Sequence, residues 1–145
     1  MRFPCELVVW KILPAVKSRL ARKLKDKGMK QKDIAEMLDI TEAAVSQYLS
    51  GKRAKDFKIP ESSEPMLDVV SEAIGQGKNQ DVLMYGICQI CRDIRTKGHA
   101  CEECKSDSNI SDNCALCMKN EEARLKEDEN DNNNDDEYSE NHDDE

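Results

Sequence analysis

The chain has 145 residues, of which 36% are charged and 4% aromatic, and it carries a net charge of −8 and seven cysteines. This length accommodates one ordinary domain or two small ones. No apolar run approaches the roughly 20 residues of a membrane-spanning helix. Residues 1–14 also lack the basic flank and cleavage site of a signal peptide. The composition therefore excludes a membrane-spanning protein and favours a cytoplasmic one.

The charge is distributed very unevenly along the chain. Residues 1–58 contain 14 Lys and Arg against 7 Asp and Glu, a net charge of +7, whereas residues 121–145 carry −11. The segment between them carries −4. These shifts in composition predict four segments: a basic helical domain at 1–55, a linker at 56–65, a helical cysteine-rich module at 66–120 and a disordered acidic tail at 121–145.

The basic N-terminal segment has the periodicity of helices. Residues 5–13 are predicted to form a separate short helix or arm, because Pro14 fits the first turn of the helix that follows. That second helix has apolar residues at three- and four-residue steps: Leu13, Val16, Leu20 and Leu24. Gly28 stands where a helix C-cap is expected. We predict that Cys5 is a buried core residue.

Residues 30–51 have the spacing of two short helices joined by a tight break. The first helix is predicted at 31–38, with Ile34, Ala35 and Leu38 inward, and Thr41 is a suitable N-cap for the second helix. In the second helix the inward residues are Val45, Tyr48 and Leu49. This spacing is what a helix-turn-helix requires. The positions predicted to face outward are small or polar: Thr41, Glu42, Ala43, Ser46, Gln47 and Ser50.

Such a face suits a helix that enters the major groove of DNA. Gln47 can make a bidentate contact with adenine, and Ala43 or the Thr41 methyl group can contact a thymine methyl. Gln31 and four cations are predicted to contact phosphates, the cations being Lys30, Lys32, Lys52 and Arg53. The segment lacks the interleaved surface aromatics of RNA-binding proteins. The predicted partner is therefore double-stranded DNA.

At this stretch the sequence resembles a known family. Residues 31–53, with the run ITEAAVSQYLSGKR, resemble the lambda-repressor-like (XRE-type) helix-turn-helix of transcriptional regulators. Residues 4–54 are similar to a group of predicted archaeal transcriptional regulators. The resemblance implies an all-α bundle of four or five helices, sequence-specific duplex binding and a homodimer. Asp39 departs from the glycine usual in the family turn, and since aspartate tolerates positive φ we expect a slightly strained but intact turn.

Six of the seven cysteines form three Cys-x-x-Cys pairs separated by nine residues: Cys88, Cys91, Cys101, Cys104, Cys114 and Cys117. In a chain with no recognisable export signal, this spacing favours metal binding over disulfides. Because a tetrahedral zinc ion takes four ligands, six thiols are too many for one ion. Three readings stay open: structural zinc on two pairs, a [4Fe–4S] cluster on four cysteines, or a redox dithiol that regulates DNA binding. His99 is predicted to be a turn residue rather than a ligand.

Two further helices are predicted before and within the cysteine-rich module. The first covers residues 65–75 with Met66, Val69, Val70 and Ala73 on one face, and the second covers residues 79–95. These helices are predicted either to form a dimer interface or to cover the metal site.

The sequence as a whole predicts a DNA-binding transcription regulator without enzymatic activity. Two other classes are kept as alternatives: a thiol–disulfide oxidoreductase that uses a Cys-x-x-Cys pair, and an adaptor whose zinc module recruits another protein. Redox Cys-x-x-Cys motifs usually lie near a βαβ pattern, and no strand pattern is evident in this chain. The sequence contains no catalytic triad, phosphate-binding loop or carboxylate pair. It indicates no small-molecule substrate and no membrane contact.

Overall fold

The computed structural model describes residues 3–77, 80–107 and 110–118. These residues are all-helical and contain no strand, which confirms the predicted fold class. The helices are α1 (Pro4–Leu7), α2 (Leu13–Asp26), α3 (Gln31–Met37), α4 (Glu42–Leu49), α5 (Glu64–Gly75), α6 (Gln80–Thr96) and α7 (Cys101–Asp107). In the described ranges, no helix has the length and apolar character needed to cross a membrane. The acidic tail predicted at residues 121–145 lies outside the described residues.

One continuous helical run extends from Pro4 to Asp26. The predicted separation of residues 5–13 from the next helix is therefore wrong. A π-helical turn, Val8–Ile12, joins α1 to α2, and the Leu13 amide donates to the Val8 carbonyl. Because Pro14 has no amide proton, it cannot take its place in the ordinary helical ladder. The wider π turn directly before it keeps the run unbroken. Cys5 lies exposed on this run, not buried as predicted.

α2 is the central helix of the molecule. It packs against α3 and α4 and also against α5 and α6. Its buried residues belong to one hydrophobic core that extends from Leu7 to Ala100. The predicted linker, residues 56–65, contributes to this core, since Phe57 is only 7% exposed, and it ends in a 3-10 turn at Glu61–Ser63. A single core therefore joins the helix-turn-helix half to the cysteine-rich half.

A ladder of ion pairs links α2 to α5. The pairs are Arg19–Glu64, Lys23–Glu64, Lys23–Asp68 and Lys27–Glu72. The N–O separations of the first three are 2.8, 2.9 and 2.6 Å. Hydrogen bonds to Asp68 and Glu64 raise the pKa of Lys23. Arg19, Lys23 and Lys27 are thus paired with carboxylates of α5, so the net charge of +7 overstates the unpaired positive charge of the N-terminal segment.

The four apolar residues predicted to share one face of α5 are not equally buried. The buried residues of α5 are Leu67, Val70, Ser71 and Ile74. Val70 of the predicted face is buried, whereas Met66 and Val69 are 39% and 63% exposed. Apolar residues occupy more than one face of this helix, and its acidic residues pair with α2. The exposed apolar residues are left on the outer surface.

The ion-pair ladder is expected to stabilise the protein at neutral pH and not in acid. Burial raises the pKa of Glu64, but hydrogen bonds from Lys23 and Arg19 outweigh it and hold the pKa below its ordinary value of 4.5. A carboxylate with a lowered folded pKa contributes its stability above the unfolded pKa and loses it as the pH falls through the folded pKa. Glu64→Gln should therefore reduce the free energy of unfolding by about 0.5–1 kcal/mol at pH 7, and this reduction should shrink as the pH falls and disappear by about pH 2.

Urea unfolding of the wild type and Glu64→Gln at both pH values measures this difference. Glu36→Gln, at an exposed position of α3, is the matched control and should have no pH-dependent effect. If Glu64→Gln lowers the free energy of unfolding more in acid than at pH 7, the ion pairs of Glu64 do not stabilise the protein as proposed.

Candidate functional site

α3 and α4 are joined by a tight turn in which Asp39 has a φ of 51°. The Ile40 amide donates to the Ala35 carbonyl at 3.0 Å, and the Asp39 amide donates to the Glu36 carbonyl at 3.3 Å. This pair of bonds is a Schellman motif, whose left-handed position usually holds glycine. The turn forms with aspartate in that position, as expected.

α4 is held in one rotational setting at its start and along its inner face. The Thr41 hydroxyl accepts a hydrogen bond from the Ala44 amide at 3.0 Å, which confirms Thr41 as the N-cap. Val45 and Tyr48 are 0% and 4% exposed. All six residues predicted to face outward are exposed: Thr41, Glu42, Ala43, Ser46, Gln47 and Ser50. The helix therefore presents a row of small and polar side chains at the protein surface.

Arg22 of α2 forms a hydrogen bond with the C-terminal end of α4. Its Nη2 donates to the Tyr48 carbonyl at 3.2 Å. The adjoining Gly51 has a φ of 71°, and the Lys52 amide donates to the Gln47 carbonyl at 2.9 Å. Arg22 is thus a positioning residue for α4 that sequence reasoning missed. No signal in the sequence separates it from the other basic residues of α2.

Exposed cations lie at the start of α3 and shortly after the end of α4. The side chains predicted to contact phosphate are exposed at Lys30, Lys32, Lys52 and Arg53, and Gln31 is partly exposed. The Arg53 guanidinium lies 5.8 Å from the centroid of the Tyr48 ring, within the range of a cation–π contact. The Ser50 hydroxyl donates to the Gln47 carbonyl at 3.2 Å, so it also serves the end of the helix.

The three cysteine pairs fall into two groups in space. One cavity of about 260 Å³ is lined by Cys101, Cys104, Cys114 and Cys117. Cys88 is exposed on α6, whereas Cys91 is 8% exposed and packs in the core. Burial, assisted by the neighbouring Cys88, raises the pKa of the Cys91 thiol to about 11. Within the described ranges, no three His, Cys, Asp or Glu side chains are arranged as a ready ion site.

Residues from both halves of the chain form the other walls of this cavity, which we call the cysteine cavity. They include Phe3, Pro4 and Leu7 from the N-terminal run and Arg95 from α6. Beside it, Lys11 Nζ lies 2.8 Å from a Glu103 carboxylate oxygen. His99 is exposed in the turn before α7, as predicted for a turn residue. The cysteine-rich half is therefore in direct contact with the helix that leads into α2.

Comparison with known proteins identifies one part of the chain. A family model described as helix-turn-helix matches residues 19–59. The match begins in α2, includes α3 and α4, and ends after the buried Phe57. It confirms the family resemblance drawn from residues 31–53, while the wider likeness to archaeal regulators stays a prediction. No curated protein and no solved structure matches the chain.

Proposed function

We propose, from the helix-turn-helix at residues 19–59, that this protein is a transcription regulator that binds specific sequences of duplex DNA with α4 as the reading helix. The observation that carries the proposal is the exposed row on α4, flanked by exposed cations and backed by a buried inner face. A helix in this setting can enter the major groove while its neighbours contact the backbone. The protein would act in the cytoplasm as a non-enzymatic regulator.

The row on α4 combines a hydrogen-bonding side chain with small neighbours that allow close approach to the bases. In the major groove, the Gln47 side-chain amide can donate to adenine N7 and accept from the adenine N6 amino group. Ala43 and the Thr41 methyl group offer apolar contacts to thymine. Glu42 and Ser46 lie on the same row and complete the proposed base-reading set with Ser50.

Phosphate contacts would come from Gln31 and the four exposed cations, whereas Arg19, Lys23 and Lys27 are paired with carboxylates of α5. Binding is therefore expected to weaken steeply with salt, with a slope of log K against log salt of about −3.6 for each protomer that neutralises four phosphates. Lys52→Ala should make this slope shallower by about 0.9 per protomer and weaken binding to all sequences alike.

Fluorescence anisotropy titrations between about 50 and 200 mM salt measure this slope. Lys97→Ala is the matched control, because Lys97 lies beyond the end of α6 and pairs with Asp93. An unchanged slope for Lys52→Ala would remove Lys52 from the phosphate-binding set.

We further propose that the regulator is a homodimer and that the exposed apolar residues of α5 and α6 form its interface. Val69 is 63% exposed on α5, and Met84 and Tyr85 are 60% and 68% exposed on α6. A dimer of this kind would read two half-sites whose centres lie about one helical turn apart. Selection from a randomised duplex library should then enrich an inverted repeat, and a library that stays unenriched would contradict specific binding.

The cysteine-rich module is proposed to bind a metal, either structural zinc or a [4Fe–4S] cluster. What supports this is the gathering of two Cys-x-x-Cys pairs at one cavity. The alternatives of a thiol–disulfide oxidoreductase and a zinc-module adaptor predict different results. The former requires disulfide reductase turnover that is lost when one pair is mutated, and the latter requires a stable protein complex without retention on DNA.

A further inference from the structure

We propose that Cys101, Cys104, Cys114 and Cys117 alone bind a single four-thiolate metal centre in the cysteine cavity. The pair Cys88 and Cys91 takes no part. This inference rests on the proposed metal binding of the module and is independent of DNA binding. The shared chemistry is a centre that four thiolates saturate, which both zinc and a [4Fe–4S] cluster satisfy.

Local structure brings the two pairs to the same cavity. Cys101 and Cys104 lie three residues apart in the first turns of α7, so both side chains lie on one side of the helix. A side chain at Gly98, in the turn before α7, would lie 3.8 Å from Cys101 Sγ and 3.7 Å from Met118 Sδ. Met118 directly follows Cys117, so this turn adjoins both pairs. The thiols line the cavity without forming a ready ion site, and binding must close the pairs on the metal.

Arg95 supplies the second observation. It lines the cysteine cavity, and its Nε is buried without a hydrogen-bond partner among the described residues. A buried N–H donor of this kind destabilises the fold unless an acceptor forms a hydrogen bond with it. Four thiolates around Zn²⁺ leave a net negative charge, and a guanidinium donates hydrogen bonds to anionic acceptors. Thiolates bound to a metal in this cavity would therefore offer an acceptor near the unpartnered Nε–H.

The remaining pair, Cys88 and Cys91, does not line the cysteine cavity. Cys91 packs in the core with the apolar stripe of α6 that contains Ile87, Ile90 and Ile94. Cys88 is exposed to solvent, and neither thiol lines the cavity. Cys91 thus acts as a small apolar core residue, a common role of buried cysteine.

The proposed centre lies under the start of the N-terminal run. Phe3, Pro4 and Leu7 cover the cysteine cavity, and the Lys11–Glu103 ion pair fastens the same run to α7. Because this run continues into α2, which packs against α3 and α4, a bound metal would brace the helix that supports the DNA-reading helix. Metal loading is therefore expected to raise the melting temperature of the full chain.

Metal analysis of the full-length protein, expressed with zinc and iron supplied and purified without oxygen, tests the inference. Zinc, iron and acid-labile sulfide are quantified per chain, and an absorption spectrum is recorded. The expected result is one centre per chain: either about one zinc in colourless protein, or about four iron and four sulfide in brown protein. Wild-type protein that holds neither centre overturns the proposal.

Single serine variants identify the ligands. Cys101→Ser and Cys114→Ser should lose the centre, whereas Cys88→Ser, the matched control, should keep the wild-type metal content. Retention of the metal by Cys114→Ser, or an equal loss in Cys88→Ser, overturns the assignment. Circular dichroism of each variant shows whether the helical fold is kept.

A measurement on the wild type remains decisive if a serine variant fails to fold. Native metal-loaded protein is treated with iodoacetamide, and the labelled cysteines are located by mass spectrometry. Exposed Cys88 and Cys5 should be labelled, whereas the four proposed ligands should be labelled only after a chelator removes the metal. Labelling of these four before metal removal overturns the proposal. Gel shifts on the same preparations report DNA binding separately, so failure of the metal centre is distinguishable from failure of the DNA-binding proposal.

Discussion

Replacing Gln47 and Ser46 of α4 with alanine is expected to weaken binding to the selected duplex by about tenfold to hundredfold. One good bidentate base contact contributes about 1–3 kcal/mol of discrimination, and about 1.4 kcal/mol corresponds to tenfold. Both side chains are exposed, so the loss should come from DNA contacts rather than from unfolding. Binding to non-specific DNA should change little, because the phosphate contacts remain.

Gel-shift titrations of full-length protein measure both affinities. Gln80→Ala is the matched control, since it makes the same chemical change at an exposed position of α6. Gln47→Ala alone should reduce the discrimination between bases at one base pair of each half-site. If the double variant binds the selected duplex as tightly as the wild type, α4 is not the reading helix.

Gly86→Ala is expected to lower the free energy of unfolding by about 1–3 kcal/mol. Gly86 is buried in α6, and a methyl group there would overlap the Val70 side chain of α5. Val70 is only 3% exposed, so the two helices must separate to make room. Alanine is the better helix former by roughly 1 kcal/mol, and the destabilisation must exceed that gain.

Gly75→Ala is the matched control, because the added methyl group would meet only Lys27 Cδ at 4.0 Å. That variant should be neutral or slightly stabilised in urea unfolding. The double variant Gly86→Ala with Val70→Ala should lose less stability than the sum of the two single variants, because the smaller side chain relieves the overlap. A neutral Gly86→Ala would show that α5 and α6 do not pack as closely as the structure has them.

Much of the helix-turn-helix was predictable, because its requirements are local in sequence. Thr41 caps α4 by a bond to a residue three positions away, and Asp39 tolerates the left-handed turn through its own side-chain chemistry. The inward face of α4 follows from helical periodicity alone. These features depend on neighbours within one or two turns of helix.

The sequence could not show which face of α5 packs inward, because that depends on a partner far along the chain. Arg19 and Lys23 on α2 meet Glu64 and Asp68 on α5 across 45 residues. The signal was present as two charged rows with four-residue steps, but only the packing of α2 on α5 joins them. The π turn before Pro14 is likewise the outcome of keeping one long helix packed on the core, which periodicity does not encode.

The spacing of the cysteines also could not show which four of them line the cavity. The three pairs have the same spacing, yet α6 buries Cys91 in the core while α7 and the segment after it bring four thiols to one cavity. The N-terminal residues Phe3 and Leu7 complete that cavity from almost a hundred positions away. Such a site is defined by tertiary structure.

The most direct test of specific DNA binding is the ratio of two dissociation constants, measured for the wild-type full-length chain at one physiological salt concentration. One is for the duplex enriched from the randomised library, and the other is for a scrambled duplex of the same length and composition. A regulator that reads bases through α4 should bind the enriched duplex roughly a thousandfold more tightly, or better. Equal dissociation constants for the two duplexes would contradict sequence-specific recognition.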